Sequence, residues 1–156
     1  MKKLIFSVGF LVGMILCKYL PAQDSLSPDE LFAKARSAAF DQKNYPLAIE
    51  LSRLALNKSP GYADIRIFSG RVFTWSGQTD SARSAFEEVL RQQPDNEDAA
   101  AAYADLEYWN DNPAKALSIC NNGLTFHPQS KTLLLKKAKC LSALKRFHEA
   151  NAVVNA

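Results

Sequence analysis

The side chains able to do chemistry are few in this sequence and far apart. Its only histidines are His127, just before Pro128, and His148. Acid–base or nucleophilic catalysis needs a base held beside a nucleophile or beside the bond to be broken. No such constellation can be assembled around either histidine, so both are expected at the surface, His127 in a loop and His148 at the start of a helix. Zinc-ligand spacing, a phosphate-cradling glycine loop, a nucleophile elbow and a dinucleotide fingerprint are all missing from the sequence. No enzymatic activity and no metal or nucleotide cofactor is implied.

The N-terminus reads as a targeting segment rather than part of a fold. Lys2 and Lys3 precede the 14-residue apolar run Leu4 to Cys17, and a short polar stretch containing Ala22 follows. That run falls short of the roughly 20 residues a membrane-spanning helix needs. Residues 1–23 are therefore expected to be a secretory signal cleaved after Ala22 or Gln23. Cys17 raises the alternative of a lipidated signal, but the bulky Leu16 stands before it where that processing takes a small residue. Export would leave Cys120 and Cys140 where disulfides are permitted. The two readings left open for them are a disulfide and two buried thiols packed as small apolar groups.

Charge narrows the partners. Removing Lys2, Lys3 and Lys18 from the 19 Lys and Arg leaves 16 cations against 16 carboxylates, a neutral mature chain that argues against nucleic acid. The charges are nevertheless graded. Asp80 to Asp111 holds nine carboxylates against Arg83 and Arg91, whereas Lys131, Lys136, Lys137, Lys139, Lys145 and Arg146 crowd the end. These runs are expected to be solvated helix faces.

The elements that position everything else are announced by a period. Pro60, Pro94 and Pro128 are 34 residues apart, and Ala48, Ala82, Ala116 and Ala150 keep the same step. Leu56, Leu90 and Leu124 form a third series and Trp75 with Trp109 a fourth. A fixed period of this size signals stacked supersecondary units. Local signals agree. Ser27, Pro28 and Glu30 read as an N-cap, a first-turn proline and a capping-box partner, Asn112-Pro113 repeats the cap-then-proline order, and Asn96 caps ahead of two acids. Gly77 suits a left-handed helix stop. The pattern predicts helices over 28–42, 46–57, 62–76, 80–92, 97–110, 113–126, 131–144 and from 147 to the end. Helices can approach to about 8–10 Å only with small side chains at the crossing, the role expected of the alanine series.

With Gly70, Phe73, Gly77, Ala82, Phe86 and Pro94 at its signature spacing, the segment Ala63 to Asn96 resembles the tetratricopeptide-repeat (TPR) family. Elsewhere Ala104 and Ala138 replace the first glycine, and Ser52 and Cys120 replace Phe86. The resemblance implies an all-α, right-handed TPR solenoid of antiparallel helix pairs over 28–156, with about four repeats: 29–62, 63–96, 97–130 and an incomplete 131–156. It also implies a non-catalytic scaffold whose first helices line the concave, partner-binding face. Here that face would carry Arg71, Thr74, Trp75, Asp105, Tyr108, Trp109, Lys139 and Ser142. Aromatics among opposite charges suit a protein or peptide partner. They also suit a glycan stacked on Trp75 and Trp109, as in a carbohydrate-binding accessory of polysaccharide export or assembly. The competing role for both tryptophans is packing against a neighbouring unit.

A narrower resemblance rests on Gly70-Arg71 through Trp75-Ser76-Gly77, echoed by Glu107-Tyr108-Trp109-Asn110. This pattern is similar to the periplasmic repeat region of YaiO-type outer-membrane proteins, in which helical repeats precede a β-barrel. It implies a periplasmic location at the outer membrane, a partner in the cell envelope and association with a barrel. The last unit reaches Ala156 without a polar capping helix, so a further domain or subunit is expected to cover its apolar edge.

Overall fold

The computed structural model of the chain describes residues 25–154, so the expected signal segment 1–23 and the final residues lie outside the described residues. Eight helices make up that described span: α1 Pro28–Phe40, α2 Tyr45–Lys58, α3 Ala63–Trp75, α4 Thr79–Gln92, α5 Glu97–Trp109, α6 Pro113–Phe126, α7 Lys131–Ala143 and α8 Phe147–Val154. Each expected helix is present, with ends within two residues of the sequence reading wherever the end is described. Consecutive helices pack as hairpins, α1 on α2 through α7 on α8, and each hairpin packs on the next through α2–α3, α4–α5 and α6–α7. Contacts also link α3 to α5 and α5 to α7, so the first helices of successive units form a continuous wall. This is an all-α solenoid of about four helix pairs.

Local chemistry sets the ends. At α1, the Ser27 hydroxyl accepts from the Glu30 amide at 3.2 Å and the Glu30 carboxylate accepts from the Ser27 amide at 2.8 Å, a complete capping box. Asn44, Asn96, Asn112 and Ser130 cap α2, α5, α6 and α7 by accepting the amides of Leu47, Ala99, Lys115 and Leu133. The turn inside each unit holds one residue in the left-handed region: Lys43 (φ 53°), Gly77 (φ 75°), Asp111 (φ 57°) and Lys145 (φ 60°). These four positions are themselves 34 apart, and only one of them is glycine.

Packing follows the period. Ala48, Ala82 and Ala116 are fully buried and Ala150 nearly so, as the alanine series predicts for helix crossings. The crossing of α3 and α4 is closer still, because a Cβ on Gly70 would lie 2.6 Å from the Phe86 ring, which is itself completely buried. In α6, a Cβ on Gly123 would meet Leu133 of α7 at 2.8 Å. The largest core cluster runs from α3 to α7 around Phe86, Leu106 and Leu133, with smaller clusters around Leu31 and Leu51 and around Leu117 and Leu141.

Candidate functional site

A groove of about 290 Å³ runs along the first helices of the second, third and fourth units. Arg71, Thr74 and Trp75 of α3, Asp98, Asp105 and Trp109 of α5, and Thr132 and Lys136 of α7 line it. Helix periodicity explains the set: Arg71 with Thr74 and Trp75, and Asp98 with Asp105 and Trp109, recur at spacings of three, four or seven and share one face. Five residues expected on the binding face, Arg71, Thr74, Trp75, Asp105 and Trp109, do come together here. Tyr108, Lys139 and Ser142 do not line the groove. Tyr108 and Lys139 pair with each other, the Lys139 ammonium 5.1 Å from the centre of the Tyr108 ring, and Tyr108 packs on the cluster around Leu117 and Leu141. The family rule that first helices face inward selects the helix but not its phase, and Tyr108 lies one position off the groove stripe, whereas Lys139 shares the stripe with Thr132 and Lys136 but places its ammonium over the Tyr108 ring. Asp98, Thr132 and Lys136 were missed for the same reason; the +4 step from Thr132 to Lys136 was the available signal.

The groove's charges are paired across repeats. Arg71 of α3 bonds Asp98 of α5, and Lys136 of α7 bonds Asp105 of α5 at 2.5 Å. The Arg71 Nε–H is buried with no acceptor. The two tryptophans, equivalent in sequence, differ in setting. Trp75 lies edge-on to Phe40 at 5.6 Å and tilted against Tyr45 at 6.2 Å, so it packs on the first unit. Trp109 is 61% exposed, and among the described residues no aromatic ring lies against it.

Behind this wall lies a buried charge cluster that the sequence reading placed in solvent. Glu107 of α5 is fully buried. Its carboxylate accepts Arg83 Nε at 2.7 Å, and Lys115 Nζ stands 3.2 Å away. The expectation of solvated faces fails at this residue because its partners come from α4 and α6, helices that a linear charge count cannot bring together. Burial alone would raise the Glu107 pKa, but the hydrogen bonds from Arg83 and Lys115 outweigh it and hold the carboxyl below its usual range. The Tyr103 hydroxyl, pushed up to about 12 by burial and by donating to Glu87, borders the same cluster. A second cleft of about 530 Å³, lined by Glu87, Leu90, Tyr103 and Phe126, opens between α4 and α6 on the side formed by the second helices.

Neither histidine lines the groove. His127 ends α6, where its Nε2 lies 2.6 Å from the Asp95 carbonyl and ties two turns together, and His148 is exposed on α8.

A stack of helix pairs with a lined groove defines the class of helical-repeat scaffolds. The model of the tetratricopeptide repeat matches residues 39–106 and 76–124, together more than half of the sequence, and the chain belongs to the tetratricopeptide-repeat family. A tetratricopeptide repeat protein from Parabacteroides merdae superposes with a TM-score of 0.73 at 19% identity, covering 82% of this chain and 51% of that one. The chain thus spans about half the length of that protein. A thermophilic TPR protein of Thermus thermophilus gives a TM-score of 0.68 at 14% identity, over 83% of this chain and 72% of the other. The first TPR of Spaghetti, solved with an HSP90 peptide bound, gives 0.67 at 14% identity, over 76% and 94%. At these identities the likeness is one of fold. No curated protein matches the sequence as a relative.

Proposed function

We propose that this chain is a non-catalytic scaffold that binds an extended protein or peptide segment in the groove between α3, α5 and α7. The observation that carries the reading is Trp109, a large aromatic 61% exposed at the lip of a groove whose floor is buried and whose walls carry Arg71, Asp105 and Lys136. Tryptophan and arginine are among the side chains most enriched in interaction hot spots. The peptide held by the Spaghetti repeat is a precedent for the fold and says nothing of this chain's own ligand. The apolar leader with Lys2 and Lys3 supports export, and the Gly70 to Gly77 pattern supports the YaiO-type reading. On that reading the scaffold works on the periplasmic side of a bacterial envelope, beside an outer-membrane β-barrel.

An array of synthetic peptides, read by tryptophan fluorescence, tests the groove. Peptides bound by the wild type should lose about tenfold or more in affinity with Trp109→Ala and with Arg71→Ala, while helical circular dichroism is unchanged. Binding that survives both substitutions would move the site away from the groove. Cell fractionation with intact-mass measurement tests export: the expected product is periplasmic and lacks residues 1–22 or 1–23, and a full-length cytoplasmic chain would refute it. The exposure of Trp109 also suits a sugar ring, whereas Trp75 is already occupied by Phe40 and Tyr45. Soluble glycans therefore belong in the same titration.

A further inference from the structure

The two tryptophans one period apart give an internal template for what the groove holds. Trp75 is covered by two rings from the first unit, Phe40 at 5.6 Å and Tyr45 at 6.2 Å. One period on, the positions of Phe40, Tyr45 and Trp75 are taken by Thr74, Thr79 and Trp109. The frame is the same at both steps: Phe40 and Thr74 lie in the last turn of a first helix, Tyr45 and Thr79 open a second helix, and each tryptophan ends the next first helix. The threonines also stand in the expected places. Thr74 lines the groove with Trp109, and the Thr79 hydroxyl donates at 3.1 Å to Asn110, the residue after Trp109. Short side chains thus replace two rings, and the indole of Trp109 is 61% exposed against 40% for Trp75.

We propose that the segment bound in the groove carries an aromatic side chain whose ring takes, beside Trp109, the place that Phe40 takes beside Trp75. This inference rests on the groove reading above and names the residue class the groove selects. A ring in that place meets the indole edge to face, an arrangement that adds to the burial of area. An aliphatic side chain of similar size buries comparable surface without that directional gain. Charge is a poor selector here, because Arg71 is bonded to Asp98 and Lys136 to Asp105, so the two cations and two carboxylates of the groove are matched within it. The Thr74 hydroxyl is likewise turned to the Gly70 carbonyl of its own helix, at 2.8 Å. A sugar would lie flat on the indole, whereas Phe40 meets Trp75 at an interplanar angle of 60°.

The test uses the full chain and an array of acetylated, amidated nine-residue peptides without tryptophan, scanned with Phe, Leu and Ala at each position. Affinity is read from the anisotropy of labelled peptides. One position should require a ring, Phe binding there about two- to tenfold more tightly than Leu. In a Trp75→Phe background, where Trp109 is the sole tryptophan, the Phe peptide should protect the indole from acrylamide. Thr74→Phe supplies the ring from within; it should shield Trp109 in the free protein and weaken the Phe peptide about tenfold, with helical circular dichroism unchanged. Peptides that depend on Trp109 but accept Leu as well as Phe at every position would overturn the aromatic assignment and leave the groove reading standing. So would a folded Thr74→Phe variant that binds the Phe peptide undiminished. Peptides indifferent to Trp109→Ala, or protection of Trp109 by soluble glycans alone, would overturn both.

Discussion

The junction between the first and second repeats and the junction between the second and third are built on one geometry with opposite chemistry. At the first, Ile49 and Phe73 line the cleft between the units. One period later the same positions hold Arg83 and Glu107, an ion pair with its carboxylate fully buried, and a period after that Leu117 and Leu141, both buried in one apolar cluster. An apolar contact is non-directional, whereas the Glu107 carboxylate depends on donors from α4 and α6 and the turn before α6, Arg83, Lys115 and Asn112, reaching it together. The comparison teaches that the period specifies where neighbouring units touch but leaves open how, and that at this pair of positions only the middle junction uses groups that must align.

The largest effect should come from breaking that alignment on one side. Arg83→Ala leaves the Glu107 carboxylate buried with a weaker partner set, and chemical denaturation should show a loss of about 3 kcal/mol or more. Restoring the neighbouring junction's chemistry with Arg83→Ile and Glu107→Phe together should return stability to within about 1 kcal/mol of wild type, or exceed it. A double variant as unstable as the single would mean that the pair contributes something an apolar contact cannot.

The same pair should be visible in the acid limb of stability. The folded-state pKa of Glu107 lies below its unfolded value, so its contribution is fully present above the unfolded pKa and is lost as pH falls through the folded one. Urea midpoints followed downward from about pH 5 should fall less steeply in the double variant than in wild type. The slope left over belongs to Glu30, Glu50, Glu88 and Glu149, which are also depressed.

A smaller effect distinguishes the helix crossings inside units. Gly70→Ala places a methyl group 2.6 Å from the Phe86 ring and should cost about 1–2 kcal/mol after the gain in helix propensity. The equivalent contact in the third unit pairs Ala104 with Cys120, so trimming Phe86 to Leu in the alanine background should recover part of the loss. No loss in thermal melting would show that the ring shifts without strain.

These contrasts also mark how far the sequence is legible. Proline, alanine and leucine at a 34-residue step, with caps at Ser27, Asn96 and Asn112, were enough for the architecture and for helix ends within two residues. The same step gave Trp75 and Trp109 equal standing, yet Trp75 meets Phe40 and Tyr45 from the first unit whereas Trp109 stays open to solvent. What a residue meets across a junction is set by the identity of its neighbour, which the period does not constrain. Glu107 was read as a surface acid for that reason; Tyr108 misses the groove because the phase of a helix is fixed by packing rather than by membership in the wall, and Lys139, in phase with Thr132 and Lys136, follows the Tyr108 ring instead.

The turns carry the finest distinction between units. All four place one residue at positive φ, and only the second unit uses glycine, the residue that accepts this conformation without strain. Lys43, Asp111 and Lys145 hold the left-handed conformation because each turn's backbone closes back on its helix. Asn112 N–H donates to the Glu107 carbonyl at 2.9 Å, as Gln78 N–H does to Phe73 at 2.8 Å. Gly77→Ala should therefore cost about 1 kcal/mol, bringing the second turn to the condition of the others. Asp111→Gly relieves the strain but frees the unfolded chain, so the two terms oppose and the net gain should be only a few tenths of a kcal/mol. If glycine at 111 instead destabilised the protein, the aspartate would be contributing more to its turn than backbone conformation alone accounts for.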